Sequence, residues 1–430
     1  MPSLLIKNGR IVDPASGLDK TSDLWVRDGK IAAIGPSLSA EKPDMAIDAS
    51  GLIVSPGFID IHVHLREPGF EHKETIATGC AAALAGGFIS IACMANTKPV
   101  NDSPDITRFI LEKARETNGA RVFPIAAVTL GLKGKTLSPM AALKEAGTVA
   151  FSDDGMAVMD EDLLRRALEE AKRLGVPIIS HCEMKELHPG GVMHEGAVSQ
   201  RLGLKGIPRE SEDRMVERDI RLARETGSHL HIAHISTGGA VELVRKAKRE
   251  GLRVTCEAAP HHFTLTEEAV EERKADAKMS PPLRSQSDME AVREGLADGT
   301  IDAIATDHAP HTAEEKAAGL EMAPFGIVGL ETALPLVMNL ARDKTIDLSR
   351  AVALLSTGPA AILGLTGGRL LKGAEADITL FDPEEEWIVD PATFQSKGRN
   401  TPFVGWKMRG RPRFVLVGGK ILLDGSKTKT

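Results

Sequence analysis

Apolar residues along the chain follow two different periods. From residue 1 to about 55, LLIKNGRIVD, SDLWVRDGKIAAIG and MAIDASGLIVSPG read as short strands separated by Asn-Gly and Asp-Gly turn signals. Residues 366–430 return to that style in ADITLFDP and GWKMRGRPRFVLVGGKILLDG. The middle alternates strand-like and helix-like stretches. Candidate strands lie at 57–64, 88–96, 121–130, 148–154, 177–183, 229–236, 253–262 and 302–311. Helical spacing is clear at 160–175, where Leu163, Leu164, Ala167, Leu168, Ala171 and Leu174 recur on one face before Gly175, and again at 238–251. Eight strands alternating with helices predict an α/β fold, a (β/α)8 TIM barrel over residues 56–365. The two β-rich ends, 1–55 and 366–430, are expected to meet in one small β-sandwich-like module. A doubly wound open sheet is the competing architecture, and no GxGxxG follows the first strand to favour it.

The length of 430 residues suits a barrel of about 250 residues plus a second module. Hydrophobic residues at 42% and charged residues at 26% are ordinary for a globular enzyme. No apolar run approaches the roughly 20 residues that cross a bilayer, and MPSLLIKNGRIVD lacks the charge and apolar core of a secretory signal. A cytoplasmic protein with no membrane partner is expected. A net charge of −7 argues against a nucleic-acid partner, and basic residues such as Arg245 to Arg249 read as a solvated helix face. Cys80, Cys93, Cys182 and Cys256 form no CxxC pair, so buried, reduced thiols are expected rather than a disulfide or thiolate metal site.

The 13 histidines change the picture, because most cluster at the ends of the predicted strands: HVH, SHCE, HLHIAH, PHH and DHAPH. Side chains two apart share a face of a strand, so His62, His64 and Asp60 point the same way, at the end of the first strand where barrel active sites lie. His181, His234 and Asp307 close three further strands, and Ser152-Asp153-Asp154-Gly155 closes the fourth with a carboxylate able to bridge two ions. Imidazoles and carboxylates converging on one mouth need cations to offset the negative charge, and this ligand mixture suits zinc while tolerating other divalent ions. Two ions can share a hydroxide, with Asp307 both ligand and proton carrier. Strand parity turns His308 away from Asp307, whereas His311 lies beyond the strand and can reach a substrate.

At this point the chain resembles the cyclic amidohydrolases, most closely the dihydroorotases of the longer bacterial type. The resemblance covers nearly the whole chain, through PGFIDIHVHLREPGFEHKET (56–75), MANT (94–97), FSDDG (151–155), SHCE (180–183), HIAHIST (231–237), PHHF (260–263) and ATDHAPH (305–311). It implies a (β/α)8 barrel with a flanking β-module and a zinc centre, and the reversible cyclisation of N-carbamoyl-L-aspartate to L-dihydroorotate in pyrimidine biosynthesis. It carries metal ligation to His62, His64, Asp154, His181, His234 and Asp307, with Asp307 also the acid/base. Substrate contacts carry to Arg66, Asn96, His311 and the backbone at Phe325-Gly326. A guanidinium at Arg66 suits a ring-borne carboxylate.

Two departures stand out. Many amidohydrolases bridge their metals with a carboxylated lysine at the end of strand four, but VAFSDDG (149–155) has no lysine, which leaves Asp154, or its neighbour Asp153, as the bridge. KMSPPLR (278–284) places Ser280 where the family often has a substrate-binding asparagine, so Ser280 is the shorter candidate for that contact. Allantoinase and hydantoinase or dihydropyrimidinase activities are the competing enzyme readings, and their substrates lack the carboxylate that Arg66 would hold. An inactive scaffold for aspartate transcarbamoylase would be expected to have lost metal ligands, and all six positions are filled. An active homo-oligomer associated with the transcarbamoylase stays open, as does a lid formed by Thr312 to Pro324.

Overall fold

A computed structural model of the chain describes residues 3–38 and 42–425. Eight parallel strands form its centre: β1 (Phe58–Val63), β2 (Phe88–Cys93), β3 (Arg121–Ala126), β4 (Ala150–Phe151), β5 (Ile178–Ser180), β6 (Leu230–Ile232), β7 (Val254–Ala258) and β8 (Ala303–Ile304). Each pairs with the next in sequence order. A helix follows every strand: α1 (Ile76–Ala85), α2 (Pro104–Thr117), α3 (Met140–Ala146), α4 (Glu161–Leu174), α5 (Glu210–Thr226), α6 (Gly238–Arg249), α7 (Gln286–Asp298) and α8 (Ala333–Arg342). The ring closes where Val63 bridges to His308 and the His64 N–H donates to the His308 carbonyl at 2.8 Å. Further down the same seam a side chain replaces the ladder. The buried Asp60 carboxylate accepts from the His62 N–H at 3.0 Å and the Thr306 N–H at 3.2 Å. The predicted (β/α)8 barrel is present.

Small and branched side chains fill the barrel: Ile59, Ile61, Ala92, Ile125, Ala150, Ile179, Ala233 and Ala303 share one buried cluster. The strands' other faces pack on the helices, and α4 shows why a helix forms where it does. Asp160 caps it, accepting from the Leu163 N–H at 2.9 Å, Gly175 ends it in the left-handed region, and Leu163, Leu164, Ala167, Leu168 and Ala171 are buried.

The two chain ends build one eight-stranded sheet. Its order runs Lys420–Asp424, Lys407–Val417, Ile378–Ile388, Ile53–Pro56, Leu4–Asp13, Leu18–Arg27, Lys30–Gly35, with Met45–Asp48 added on Leu4–Asp13. Ile53–Phe381 and Val54–Leu380 are antiparallel partners, joining the N-terminal and C-terminal halves directly. Leu4, Ile6, Ile11, Leu24, Val26, Val54, Ile378, Leu380 and Leu416 form its own core. Ile53–Pro56 then runs through Gly57 straight into β1, so the flanking sheet is continuous with the first strand of the barrel. All four cysteines are buried and unpaired, and no helix among the described residues is long and apolar enough to cross a membrane.

Candidate functional site

The predicted donors meet at the C-terminal mouth of the barrel. Only His62 lies within a strand; His64, Asp154, His181, His234 and Asp307 sit just past strand ends. His234 (φ 31°) and Asp307 (φ 49°) occupy the left-handed region, as does Arg66 (φ 64°). Non-glycine residues avoid that region unless the surroundings impose it, and it turns these backbones out of the ladder and over the mouth.

Asp154 is the centre of the cluster. Its Oδ1 lies 3.5 Å from His62 Nε2, 3.4 Å from His181 Nδ1 and 3.7 Å from His234 Nε2, while Oδ2 lies 3.6 Å from His64 Nε2. It thus belongs to two buried triads with metal-ligand spacing, one with His62 and His64 and one with His181 and His234. Asp153 points elsewhere: its oxygens accept from the Thr129 backbone N–H at 3.0 Å and from the Thr129 hydroxyl. Asp307 Oδ1 lies 3.0 Å from His64 Nε2 and 3.5 Å from His62 Nε2, so it flanks the first triad.

Neighbours orient the imidazoles. The His62 Nδ1–H donates to Glu257 Oε1 at 2.7 Å, which turns Nε2 to the centre. The His64 Nδ1–H donates to Asn96 Oδ1 at 2.9 Å, and Asn96 Nδ2 lies 3.3 Å from Asp154 Oδ2. Glu183 faces His181 Nε2 at 3.2 Å. Glu257, fully buried on β7, was not singled out in the sequence. It also accepts from His231 Nε2 at 3.1 Å, and its signal was a single charge inside the apolar run VTCEA.

Three buried atoms of these side chains, His62 Nε2, Asp154 Oδ1 and His234 Nδ1, have no hydrogen-bond partner. Burial opposes charge on the His181 imidazole, but Asp154 and Glu183 outweigh it and lift the ring's pKa to about 9. Burial likewise opposes ionisation of Asp154, yet His181, His234 and His62 hold it well below the usual carboxylate range. Such a site draws positive charge into itself. Imidazole and carboxylate donors with unmet lone pairs fit divalent cations, which replace protons on the rings.

Beside the triads lies the predicted substrate end. Arg66 donates through Nε to the Pro310 carbonyl at 3.2 Å and through Nη2 to His311 Nε2 at 3.2 Å. Burial lowers the guanidinium's pKa to about 10 against the pull of Asp307 and Asp154, so it stays charged at neutral pH. Burial and the Arg66 charge push His311 down to about 3, which leaves a neutral ring able to accept from Arg66. His311 Nε2 is also 2.9 Å from the Phe325 carbonyl. The Gly326 N–H already donates to the Lys278 carbonyl at 2.9 Å. Ser280 points at Glu183 Oε1, 3.3 Å away, on the side of the second triad. His308 turns out of the cluster, its Nε2 3.2 Å from Glu74 and its Nδ1 accepting from the Gly329 N–H.

Comparison with known proteins bears on the site at this point. A family model described as dihydro-orotase-like matches residues 51–240. A curated dihydroorotase from Pelotomaculum thermopropionicum is 56% identical over 423 residues, covering 98% of each chain. One from Citrifermentans bemidjiense is 53% identical over 420 residues, covering 98% of this chain and 99% of the relative. The chain belongs to the dihydroorotase family. Among solved structures, L-hydantoinase (dihydropyrimidinase) from Arthrobacter aurescens superposes with a TM-score of 0.89 at 26% identity, covering 100% of this chain and 98% of that one. D-hydantoinase (dihydropyrimidinase) from Thermus sp. gives 0.82 at 26%, covering 99% and 96%. Together with the donor cluster, these likenesses place the chain among the metal-dependent cyclic amide hydrolases. The dihydroorotase relatives share about twice the identity that the hydantoinase neighbours do.

Proposed function

We propose that the chain is a dihydroorotase, interconverting N-carbamoyl-L-aspartate and L-dihydroorotate in pyrimidine biosynthesis. The observation that carries this reading is the charged Arg66 braced on His311 beside the Asp154-centred triads, a grip for a ring carboxylate next to a metal centre.

Two zinc ions are the cofactor this donor set favours, one on His62, His64 and Asp154 and one on Asp154, His181 and His234, with Asp307 completing the first. Bound there, they would supply Lewis acidity for the amide carbonyl and an activated water. Arg66 holds the substrate carboxylate, with Asn96 and His311 as further contacts around the ring. Asn96 must share its amide with His64 and Asp154. The turn at Phe325-Gly326 lines the same end, while Ser280 reaches substrate only by leaving Glu183. Asp307 keeps Oδ1 toward His62 and His64, which leaves Oδ2 to take a proton from the attacking water and pass it to the ring nitrogen as the C–N bond breaks. In the biosynthetic direction it returns that proton.

A cytoplasmic location, a homo-oligomeric assembly and association with aspartate transcarbamoylase go with this reading. So does a division into a 56–365 barrel and a β-module of 1–55 and 366–430. The hydantoinase reading draws on the solved neighbours and is separated by substrate. Zinc-loaded protein should open dihydroorotate, followed by ultraviolet absorbance, with hydantoin, dihydrouracil and allantoin turned over far more slowly. Selective turnover of hydantoin would overturn the substrate assignment and leave the metal centre standing.

A further inference from the structure

A segment from the C-terminal half of the chain reaches the barrel mouth and is gripped there at both ends. The Ser396 hydroxyl donates to the buried Glu74 carboxylate, and the Lys397 N–H donates to Glu74 Oε1 at 3.1 Å. At Gly398 the contact is so close that a Cβ would lie 2.6 Å from Val328 Cγ1 and 2.7 Å from Pro310 Cβ. Asn400, 4% exposed, ends the strap. Its Nδ2 donates to the carbonyls of Ala309 and Gly326, both at 3.0 Å, and its Oδ1 accepts from the His311 N–H at 3.1 Å. One planar amide therefore joins both limbs of the loop that runs from 309 to 326. The limbs are close enough that a Cβ on Gly326 would meet the Ala309 Cβ at 2.6 Å.

We propose that Asn400 is a positioning residue for substrate recognition, fixing His311 and the Phe325-Gly326 turn against Arg66. The inference rests on the reading of Arg66 and His311 as substrate contacts. Its physical basis is a chain of short distances: Asn400 holds the His311 backbone, and His311 Nε2 lies 3.2 Å from Arg66 Nη2 and 2.9 Å from the Phe325 carbonyl, accepting from the first in one tautomer and donating to the second in the other. None of these links touches a metal donor. Losing the Asn400 side chain leaves the buried Ala309 carbonyl and His311 N–H unpaired, while the Gly326 carbonyl keeps Lys316 Nζ at 2.9 Å, so it is the hold on the His311 limb that weakens. A misplacement of about 1 Å at a substrate-positioning group can cost up to about a hundredfold in kcat/KM.

The test compares wild type, Asn400→Ala and Asn400→Asp as zinc-loaded full-length proteins. Asn400→Asp is isosteric and keeps the acceptor for His311 but replaces both donors with an oxygen facing two carbonyls. Both variants should keep wild-type metal content, raise KM for dihydroorotate about tenfold or more and change kcat less than threefold. Unchanged KM, or a fall in kcat that tracks metal loss, would overturn the proposal. A second readout needs no turnover: the ring 15N shifts of His311, assigned with His311→Gln, should move in both variants, and identical shifts would also overturn it. If Asn400→Ala fails to fold, Asn400→Asp is read by the same criteria. Wild type that does not open dihydroorotate would sink the functional reading alone, and the His311 shifts would still decide the role of Asn400.

Discussion

Asp154 and Asp307 are both buried carboxylates facing imidazoles, yet the geometry separates their work. Asp154 is ringed by four histidines, whereas Asp307 turns one oxygen to two of them, which leaves the other for the proton transfer proposed above. Asp307→Asn retains the shape but cannot carry a proton as a carboxylate does. Dihydroorotate turnover should fall by about a thousandfold or more in protein whose metal content is measured alongside, and near-normal turnover would sink the assigned role. Glu257 acts at one remove, by orienting His62. Glu257→Gln keeps an acceptor but loses the charge shared by His62 and His231, so metal affinity should drop about 10- to 100-fold. A chelator competition titration measures this, and unchanged affinity would count against Glu257 as the orienting group. The donors themselves were legible because residues two apart share a strand face and active sites collect at strand ends. The choice between Asp153 and Asp154 was not, since only the fold reveals that Thr129 occupies Asp153. Glu257 was legible in principle, as a lone charge inside an apolar strand, but attention to strand ends passes over it.

Among elements, helices were easier to read than strands, and α4 illustrates the reason. Its apolar face, its acidic first turn at Glu161 and Asp162, and its Gly175 stop are all local signals. Asp160→Ala removes the cap on Leu163, and the stability in urea should fall by about 1 kcal/mol with KM for dihydroorotate unchanged. A stability equal to wild type would show that solvent or a neighbour satisfies the freed N–H. Strands were over-read at their C-terminal ends. The run 302–311 was expected to be a strand, but its continuous ladder ends at Ile304 and only isolated bridges at His308 follow. Beyond that point Asp307 adopts a positive φ and the chain leaves to line the mouth. Apolar periodicity continues through such a departure, so it cannot mark where hydrogen bonding stops. The strap at 396–400 was invisible for a different reason. Its partners Glu74, Ala309, His311 and Gly326 lie 74 to 323 positions away, and no periodicity spans that distance.

For the molecule as a whole, the junction between flanking sheet and barrel decides whether the chain unfolds in one step or two. Adjacent residues of the strand Ile378–Ile388 serve different cores: Leu380 packs in the flanking sheet, while Phe381 sits in the barrel's outer cluster with its ring 5.9 Å from that of Phe58. The Thr379 hydroxyl donates to the Gly87 carbonyl at 2.7 Å, just before β2, and the Gly57 N–H at the start of β1 donates to the Asp377 carbonyl at 3.0 Å. Melting the sheet therefore strips packing and hydrogen bonds from the base of the barrel. A single cooperative transition is the expected outcome. Trp25, buried in the strand Leu18–Arg27, reports the sheet once Trp387 and Trp406 are replaced by Phe, and ring-opening activity reports the barrel mouth. Urea curves from the two probes should coincide. Leu380→Ala, which empties a fully buried site in the sheet, should cost about 2–5 kcal/mol and move both curves together. If the Trp25 transition alone shifts and activity persists beyond it, the sheet melts independently and the shared strand does not couple the two cores.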